Sequence, residues 1–309
     1  MVKPDLTTFL GKIKLENPLV LASGILGNTA DLLIRVAKSG AGAVTTKSIG
    51  PRENMGHPSP NIVEVECGYI NAMGLPNPGI LKFVGEIRKY KLKCRKPLIG
   101  SIYGSTEKEY GFVAERMDEA GADIIELNVS CPHSRENIIN IGWDPKLVSN
   151  VIKNVKEVVD KPVFLKLPGN TNLKNLRDVV NAAIKHEVDG FTAINTLPAM
   201  AVDVETMLPI LGNKVGGLSG LAVKPIGVRI VYEVRKITDL PIIGVGGVRT
   251  YRDVLEYILV GANAVAMGSA LVHDKKITVF REIKGKLEEH LAERNIKTIR
   301  ELIGLIHGK

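Results

Sequence analysis

The chain has little of several features that mark whole classes of protein. Its 309 residues include three cysteines, none in a CxxC pair, which disfavours a disulfide framework and a structural zinc site. No apolar run approaches the roughly 18 residues of a membrane-spanning helix, and the N-terminal segment lacks the apolar core of a signal peptide. These absences predict a cytoplasmic protein that contacts no membrane and keeps free thiols.

The charge pattern disfavours nucleic-acid binding. Lys and Arg number 41 against 33 Asp and Glu, a formal charge of +8, but basic and acidic residues alternate, as in EKEYGFVAERMDE. Aromatic residues make up only 5% of the chain, and no basic stripe is interleaved with them. The chain also lacks GxGxxG and GxxxxGKS/T, which disfavours a Rossmann-type nicotinamide site and a P-loop.

What the chain does contain is a repeated alternation of short Val- and Ile-rich runs with longer amphipathic segments. Strands are predicted at 18–22, 43–47, 98–102, 123–129, 163–166, 190–194, 242–245 and 264–267. Helices are predicted at 30–39, 79–90, 107–120, 145–159, 173–186, 225–237, 251–260 and 278–292. Eight such units predict an α/β fold, a (β/α)8 TIM barrel, as one domain over residues 1–309. A doubly wound open sheet is the alternative, but it usually has fewer strands.

Additional segments are expected at both ends of the barrel. A β-hairpin is predicted at 8–9 and 13–15 around Gly11. Two long inserted loops, 50–78 and the stretch from the sixth strand to Val223, are predicted at the C-terminal face. Four helix-to-strand junctions contain glycine (SGAGA, AGAD, EVDG and VGAN), and at each the glycine suits a left-handed C-cap.

In a TIM barrel the active site lies at the carboxyl ends of the strands. After strands seven and eight the chain has glycines there, GVGGV at 244–248 and MGSA at 267–270. Because glycine lets backbone N–H groups approach a phosphate at this position, we predict a phosphate-bearing ligand. Flavin mononucleotide (FMN), pyridoxal phosphate and sugar phosphates all remain open.

Polar side chains at other strand ends indicate an anionic, imide-like ligand. Lys47 and Lys166 end strands two and five, where an ammonium group is expensive to desolvate unless it meets an anion. Lys166 could pair with the pyrimidine edge of a flavin, form a Schiff base, or stay on the rim as a solvated cation. Four asparagines offer paired donors and acceptors that suit a pyrimidine, although Asn is also common in turns: Asn71, Asn77, Asn128 and Asn195.

Cys131 follows strand four in the run NVSCPH. At a strand end it is a candidate acid, base or nucleophile. Since a thiol has a reference pKa of about 8.5, a cysteine base predicts activity that rises with pH. His133 could act as a base beside it, but a lone histidine in a loop is more often a surface residue.

Five motifs together point to one family. They are TKS at 46–48, NAMGLPNPG at 71–79, NVSCP at 128–132, INTL at 194–197 and GGLSGLAVKP at 216–225. With them the chain resembles the class 1 dihydroorotate dehydrogenases nearly end to end. It is most similar to the class 1B catalytic subunit, which GSTE at 104–107 and GLSG at 217–220 favour over class 1A. The resemblance implies a TIM-barrel flavoprotein that oxidises (S)-dihydroorotate to orotate in the biosynthesis of UMP.

The resemblance also implies roles for the matching residues, with no metal ion. Cys131 would remove the C5 proton of dihydroorotate while C6 gives hydride to flavin N5, and residues 132–142 would close over the site. Contacts to FMN would come from Ser23, Lys47, Ser48, Ser101, Asn128, Lys166, Ile194, Gly220, Gly246, Gly247, Gly268 and Ser269. Contacts to dihydroorotate would come from Lys47, Asn71, Ala72, Met73, Gly74, Leu75, Asn128, Asn195 and Thr196.

The chain departs from the family pattern at three places. His133 and Ser101 stand where the family usually has Asn, and Leu167-Pro168-Gly169 stands where it usually has Ser-Pro-Asn. These departures concern individual contacts to substrate and flavin more than the reaction.

A partner protein is implied as well. Three cysteines are too few for a four-thiolate iron–sulfur cluster, and the nicotinamide fingerprint is absent, so electrons must leave the chain. The class 1B resemblance implies a second subunit that carries FAD and an iron–sulfur cluster, with NAD⁺ as final acceptor. It also implies a homodimer core within a hetero-oligomer.

Three other functions remain open from the residues alone. A lyase or aldolase could use Lys166 as a Schiff base on a phosphorylated substrate, without flavin. A flavin-binding subunit could have no activity of its own. An FMN enzyme could act on another pyrimidine, such as uracil, and His133 keeps that alternative in view.

Overall fold

The chain forms a closed barrel of eight parallel strands, and the computed structural model describes residues 3–129, 132–133, 139–272, 274 and 277–308. Each barrel strand pairs with the next in chain order, and the last pairs with the first. The strands are β1 (Leu19–Leu21), β2 (Ala43–Thr45), β3 (Leu98–Ile102), β4 (Ile124–Asn128), β5 (Val163–Leu167), β6 (Gly190–Ala193), β7 (Ile242–Val245) and β8 (Ala264–Met267). The predicted (β/α)8 barrel is confirmed.

One helix follows each strand and covers the outside of the barrel in the described part of the chain. The helices are α1 (Ala30–Lys38), α2 (Ile80–Lys93), α3 (Glu107–Glu119), α4 (Pro145–Lys156), α5 (Leu173–Lys185), α6 (Lys224–Arg235), α7 (Tyr251–Leu259) and α8 (Val279–Glu293). The side chains of Thr29, Thr106 and Thr250 accept N–H groups in the first turns of α1, α3 and α7, which fixes where these helices begin. Of the helices named here, none combines the length and the apolar character that crossing a bilayer requires.

Shorter elements surround the barrel. The short strands are Thr8–Leu10, Ile13–Leu15, Glu53–Asn54, Ile62–Val65, Gly68–Asn71, Asn77–Pro78, Pro132–His133, Ile139–Asn140, Leu197–Met200, Val202–Asp203, Leu208–Pro209 and Val215–Ser219. Short 3-10 helices lie at Ile141–Trp143, Leu221–Val223, Ser269–Leu271, Ile299–Leu302 and Leu305–Gly308.

The predicted hairpin is present and closes the amino-terminal end of the barrel. Thr8–Leu10 pairs antiparallel with Ile13–Leu15, and the Thr8 hydroxyl donates to the carbonyl of Asn263, directly before β8, at 2.7 Å. The fully buried Leu10 and Leu15 pack in one cluster with inward-facing barrel residues that include Val20, Ala43, Ile99, Ile124, Phe164, Ile243 and Ala264. The floor of the barrel is therefore apolar and filled by side chains.

The two long insertions contain strands, which corrects their prediction as loops. Gly68–Asn71 pairs with Ile62–Val65 and with Val215–Ser219, and the latter pairs with Leu197–Met200. We call this four-stranded antiparallel sheet the mouth sheet. It joins the insertion after β2 to the insertion after β6 through partners as much as 150 residues apart. A local pattern does not reveal so distant a pairing.

Three of the four predicted glycine C-caps are confirmed. Glycine has positive φ at three junctions: 116° at Gly40, 104° at Gly121 and 114° at Gly261. At the fourth junction the prediction is wrong, because the residue with positive φ is Glu187, at 60°. Gly190 instead begins β6, where a Cβ would meet the Phe164 ring at 2.5 Å. Its small size serves packing inside the barrel rather than a turn.

Phe164 offers a test of the apolar floor, since it is fully buried in the interior cluster. We expect Phe164→Ala to lower the free energy of unfolding by about 3–5 kcal/mol, because it leaves a cavity under the mouth. Phe112→Ala on α3 is the matched control, because that ring is 38% exposed. Urea unfolding followed by circular dichroism measures both, and equal losses for the two variants would contradict the role given to the floor.

Candidate active site

The upper interior of the barrel is polar, in contrast to its floor. Strands β3 to β6 contribute five buried polar side chains, none more than 7% exposed: Ser101, Glu126, Asn128, Lys166 and Thr192. Just beyond β2, Lys47 and Ser48 are buried as well. Because the carboxyl ends of all eight strands meet at this mouth, residues distant in sequence become neighbours.

A chain of hydrogen bonds crosses the mouth and joins five predicted site residues. The hydroxyl of Ser48 lies 3.1 Å from that of Ser23 and 2.9 Å from that of Ser101. Asn128 donates from Nδ2 to Ser48 Oγ at 3.0 Å, and Asn195 donates from Nδ2 to Asn128 Oδ1 at 3.1 Å. The residues predicted to contact FMN and those predicted to contact substrate therefore share one connected network.

Two ammonium groups lie in the same mouth. Burial, followed by the positive charge of Lys166, lowers the pKa of Lys47 from its ordinary value of 10.5. Among the described residues, the one ion pair that these two lysines make joins Lys166 Nζ to Glu126 Oε1, at 4.0 Å. Two buried cations against one buried carboxylate leave the mouth with positive charge, which favours an anionic ligand.

Glu126 is a site residue that sequence reasoning missed. It is 3% exposed, its Oε2 accepts from Thr192 Oγ1 at 2.9 Å, and its Oε1 has no hydrogen-bond partner among the described residues. The signal in the sequence was a charged residue inside the apolar run IIELN of β4. Alternation along a strand puts Glu126 on the same face as Asn128, two residues later.

The segment 71–75, predicted to contact substrate, is attached to the mouth sheet. Asn71 donates from Nδ2 to the Gly217 carbonyl at 3.1 Å. Gly74 and Leu75 take positive φ values of 71° and 53° in the turn that follows. Backbone bonds hold the segment from both sides: Ala72 N to Asn61 O at 2.8 Å, and His57 N to Met73 O at 3.1 Å.

Thr196 meets the same part of the mouth sheet from the other insertion. Its N–H donates to Asn195 Oδ1 at 2.9 Å, and its side chain lies where a Cβ on Gly217 would be. Asn71 and Thr196 therefore both contact Gly217, and a side chain at Gly217 would collide with Thr196 of the same insertion.

Asn77 has a structural role in place of the ligand contact that its position suggested. Its Nδ2 donates to the Leu75 carbonyl at 2.9 Å and to the Tyr103 hydroxyl at 2.8 Å. Its Oδ1 accepts from the backbone N–H groups of Gly50 and Gly79 at 3.2 and 2.9 Å. These four bonds use the full capacity of an amide side chain. Asn77 and Tyr103 therefore hold the insertion after β2 in place.

The glycines predicted to line a phosphate converge at the turns after β7 and β8. A Cβ on Gly247 would meet the Gly220 carbonyl at 2.6 Å, and a Cβ on Gly246 would lie 3.9 Å from Ile194, directly after β6. Gly220, Gly246 and Gly247 have φ values of 105°, 132° and 67°, a region that favours glycine. Gly268 and Ser269 follow the neighbouring β8 and lead into the 3-10 helix Ser269–Leu271.

The predicted base, Cys131, lies outside the described residues. Part of the predicted lid, residues 132–142, is described. There the backbone of Pro132–His133 pairs with Ile139–Asn140, and Gly142 donates its N–H to the Val129 carbonyl at 3.0 Å. The segment therefore leaves and rejoins the barrel at the carboxyl end of β4. In the described ranges, no cluster of three or more His, Cys, Asp or Glu side chains could hold a metal ion.

Known proteins similar to this chain form a consistent set. The family model for dihydroorotate dehydrogenase matches residues 5–291. A Pyrococcus furiosus protein named dihydroorotate dehydrogenase B (NAD(+)), catalytic subunit, is 47% identical over 293 residues, which cover 95% of this chain and 96% of that one. A Methanocaldococcus jannaschii protein of the same name is 45% identical over 305 residues, 98% of each chain.

A solved structure supports the fold independently. The crystal structure of DHODH from Eimeria tenella in complex with ferulenol matches with a TM-score of 0.85. The match covers 99% of this chain and 89% of that chain at 21% sequence identity. At that identity it supports the barrel architecture alone.

Asn77→Ala tests the structural role of the Asn77 amide. We expect it to lower the free energy of unfolding by about 2–3 kcal/mol, because four hydrogen bonds are lost at a buried position. Hydrogen exchange in segment 50–78 should also become faster. Asn213→Ala, at an exposed position with one side-chain hydrogen bond to Val215, is the control and should leave both quantities nearly unchanged. Similar effects for the two variants would contradict this role.

Lys47→Met tests the buried charge. The pKa of Lys47 is lower in the folded chain than the ordinary value of 10.5, so the unfolded chain binds more protons between these two values, and stability rises with pH there. We therefore expect ligand-free Lys47→Met to be more stable than the wild type at pH 7, with the difference shrinking as pH approaches 10.5. Urea unfolding at several pH values measures this difference. Lys12→Met, at an exposed turn, is the control, and the same stability difference from the wild type for both variants at every pH would contradict the assignment.

Proposed function

The chain belongs to the dihydroorotate dehydrogenase family, and we propose that it oxidises (S)-dihydroorotate to orotate as the FMN-bearing catalytic subunit of a class 1B enzyme. The observation that carries this proposal is the buried positive charge of Lys47 and Lys166, which Glu126 alone offsets among the described residues. Dihydroorotate is a carboxylate, and FMN carries a phosphate and an electron-rich pyrimidine edge. Both ligands would relieve the cost of burying that charge.

The residues present fit FMN at two ends of the mouth. At one end, no hydrogen bond among the described residues uses the Lys166 ammonium, so its donors are available to the pyrimidine edge. At the other end, the turns with Gly220, Gly247 and Gly268 carry no side chain that would keep a phosphate from the backbone N–H groups. Bound FMN would supply a two-electron acceptor for hydride.

The residues between these ends suit the substrate. The hydrogen-bond network holds Asn128 and Asn195 in fixed orientations, so their amides are preorganised for the alternating C=O and N–H edge of dihydroorotate. Lys47 would meet the substrate carboxylate, and segment 71–75 would form the facing wall. Ser101, where the family usually has Asn, keeps a hydroxyl in the network through Ser48.

Cys131 is the proposed base for the C5 proton of dihydroorotate. Support comes from its place in the chain, three residues after Asn128, on a segment that both begins and ends at the mouth. A thiol with a reference pKa of about 8.5 is mostly protonated at neutral pH, so the fraction able to accept a proton grows as pH rises. Segment 132–142 would exclude water from the site while the proton is transferred.

Electrons would leave the chain through a second protein. The relatives carry the name catalytic subunit, which supports a separate electron-transfer subunit. We propose that this subunit holds FAD and an iron–sulfur cluster and passes electrons to NAD⁺. We also propose a homodimer of this chain, one domain over residues 1–309 in each copy, as the core of the assembly.

An anaerobic visible spectrum of the purified chain, reconstituted with FMN, tests the proposal. We expect flavin absorption bands that bleach when dihydroorotate is added. A flavin spectrum that dihydroorotate leaves unchanged, but that another dihydropyrimidine bleaches, would overturn the substrate assignment. A chain that takes up no FMN would overturn the flavoenzyme assignment, and borohydride trapping at Lys166 would then support a Schiff-base lyase.

Cys131→Ala tests the base. We expect the rate of flavin reduction by dihydroorotate to fall about 10²- to 10⁴-fold, while FMN affinity stays unchanged, because the lost group acts only in proton transfer. Anaerobic stopped-flow absorbance measures the rate, and the wild-type rate should rise with pH. Cys94→Ala, at the half-buried C-cap of α2, is the control and should keep the wild-type rate. A Cys131→Ala variant as fast as this control would remove Cys131 from the mechanism.

A further inference from the structure

One buried carboxylate in the barrel, that of Glu126, takes no part in the proposed reaction. Glu126 lies in β4 under the mouth and is 3% exposed. Thr192, on β6, donates from Oγ1 to Glu126 Oε2 at 2.9 Å and so fixes the carboxylate from one side. Among the described residues, Glu126 Oε1 is the one buried side-chain oxygen or nitrogen without a hydrogen-bond partner. An oxygen left without a partner in a buried site needs a physical explanation.

The distance to Lys166 supplies one. Lys166 Nζ lies 4.0 Å from Glu126 Oε1, close enough for strong attraction in a poorly hydrated interior but beyond a hydrogen bond. No hydrogen bond among the described residues uses this ammonium. The carboxylate thus balances the charge of Lys166 without occupying its N–H donors, which stay available to a ligand above.

Strand pairing keeps these groups in register. Lys166 pairs with Asn128 on one side and with Thr192 on the other, so it stands between β4 and β6. Glu126 comes two residues before Asn128 on the same face, which places it one inward-facing position deeper than Lys166. The Glu126 carboxylate therefore lies deeper in the barrel, and the Lys166 ammonium lies above it, nearer the mouth.

Lys166 has no other counter-charge in the described interior. Four charged side chains are buried there in all, Lys47, Glu126, Lys166 and Asp253, and Asp253 lies at the start of α7, paired with Lys224 at 2.8 Å. Lys47 is positive and repels Lys166. Without Glu126, two ammonium groups would share the mouth with no carboxylate.

We propose that Glu126 is a positioning residue that keeps Lys166 charged and directed at the mouth, with Thr192 holding the carboxylate in place. This inference rests on the proposed function only for the identity of the ligand that Lys166 meets. The pairing itself belongs to the ligand-free chain. It can therefore be tested there, separately from any flavin chemistry.

The first test is a double-mutant cycle on the melting temperature of the ligand-free chain. Lys166→Met is expected to lower it strongly, because Glu126 is left buried without a counter-charge. Glu126→Gln, added to Lys166→Met, is expected to restore most of that loss, because the neutral amide has nearly the same shape. The matched control is Lys47→Met, in which Glu126→Gln should change the melting temperature as it does in the wild type, since Glu126 pairs with Lys166 and not with Lys47 among the described residues. Additive effects in the Lys166 background would overturn the pairing.

The second test reads the charge of Lys166 directly. Trace acetic anhydride acylates neutral amines, and mass spectrometry gives the extent at each lysine. In Glu126→Gln we expect acylation of Lys166, relative to the exposed Lys12 and Lys108, to rise about threefold or more, because the carboxylate 4.0 Å from Lys166 Nζ is lost. Thr192→Val keeps the Glu126 carboxylate but removes the hydrogen bond from Thr192 Oγ1 that holds it. It should therefore give a smaller rise in the acylation of Lys166. If Lys166 is acylated to the same extent in Glu126→Gln as in the wild type, the positioning role is wrong.

The two proposals fail in different ways. If the wild-type chain binds no FMN, the proposed function fails, while the melting and acylation results still decide the role of Glu126. If FMN binds and is reduced but neither ligand-free test responds to Glu126→Gln, the proposed function stands and the positioning role is wrong.

Discussion

Closure of eight parallel strands forces every inward-facing side chain into one narrow column, and the site depends on where that column changes from apolar to polar. Below the change, Leu10, Leu15 and Phe164 fill the floor and exclude water. Above it, charged and amide groups stand on the next inward-facing positions of the same strands. Since the floor holds little water, the electrostatic interactions of the groups above it are stronger than they would be at a surface.

Within that setting, charge and direction come from different residues. Lys47 and Lys166 supply positive charge that Glu126 offsets only in part, so the mouth attracts anions. The serine and asparagine network supplies no net charge, but its hydrogen bonds fix which way each amide faces. An anionic ring with alternating donors and acceptors needs both properties together. The mouth sheet adds a wall whose two halves come from different insertions and meet at Gly217.

The sequence allowed the barrel to be predicted because its signals are local. Val- and Ile-rich runs, amphipathic segments and glycines at helix-to-strand junctions each depend on a few neighbouring residues, and the barrel rule then turns strand ends into site residues. The mouth sheet could not be predicted the same way, since Asn71 and Gly217 lie 146 residues apart and glycine-rich strands carry little pattern. The C-cap at Glu187 was missed for a related reason: packing against Phe164, not the turn, requires the nearby glycine.

Residue type alone also could not distinguish Asn77, which has a structural role, from the polar groups whose hydrogen-bonding capacity stays available to a ligand. Asn77 and the other mouth asparagines look alike in the sequence, but in the fold Asn77 uses all four of its hydrogen-bonding positions within the chain. Glu126 Oε1 is in the opposite state, since it is buried without a hydrogen bond among the described residues, and the ammonium of Lys166, a residue that is 7% exposed, makes no hydrogen bond there either. Because a buried polar group without a partner is costly, such groups persist where something outside the chain completes them. They therefore support the proposal that a ligand binds at the mouth of this barrel.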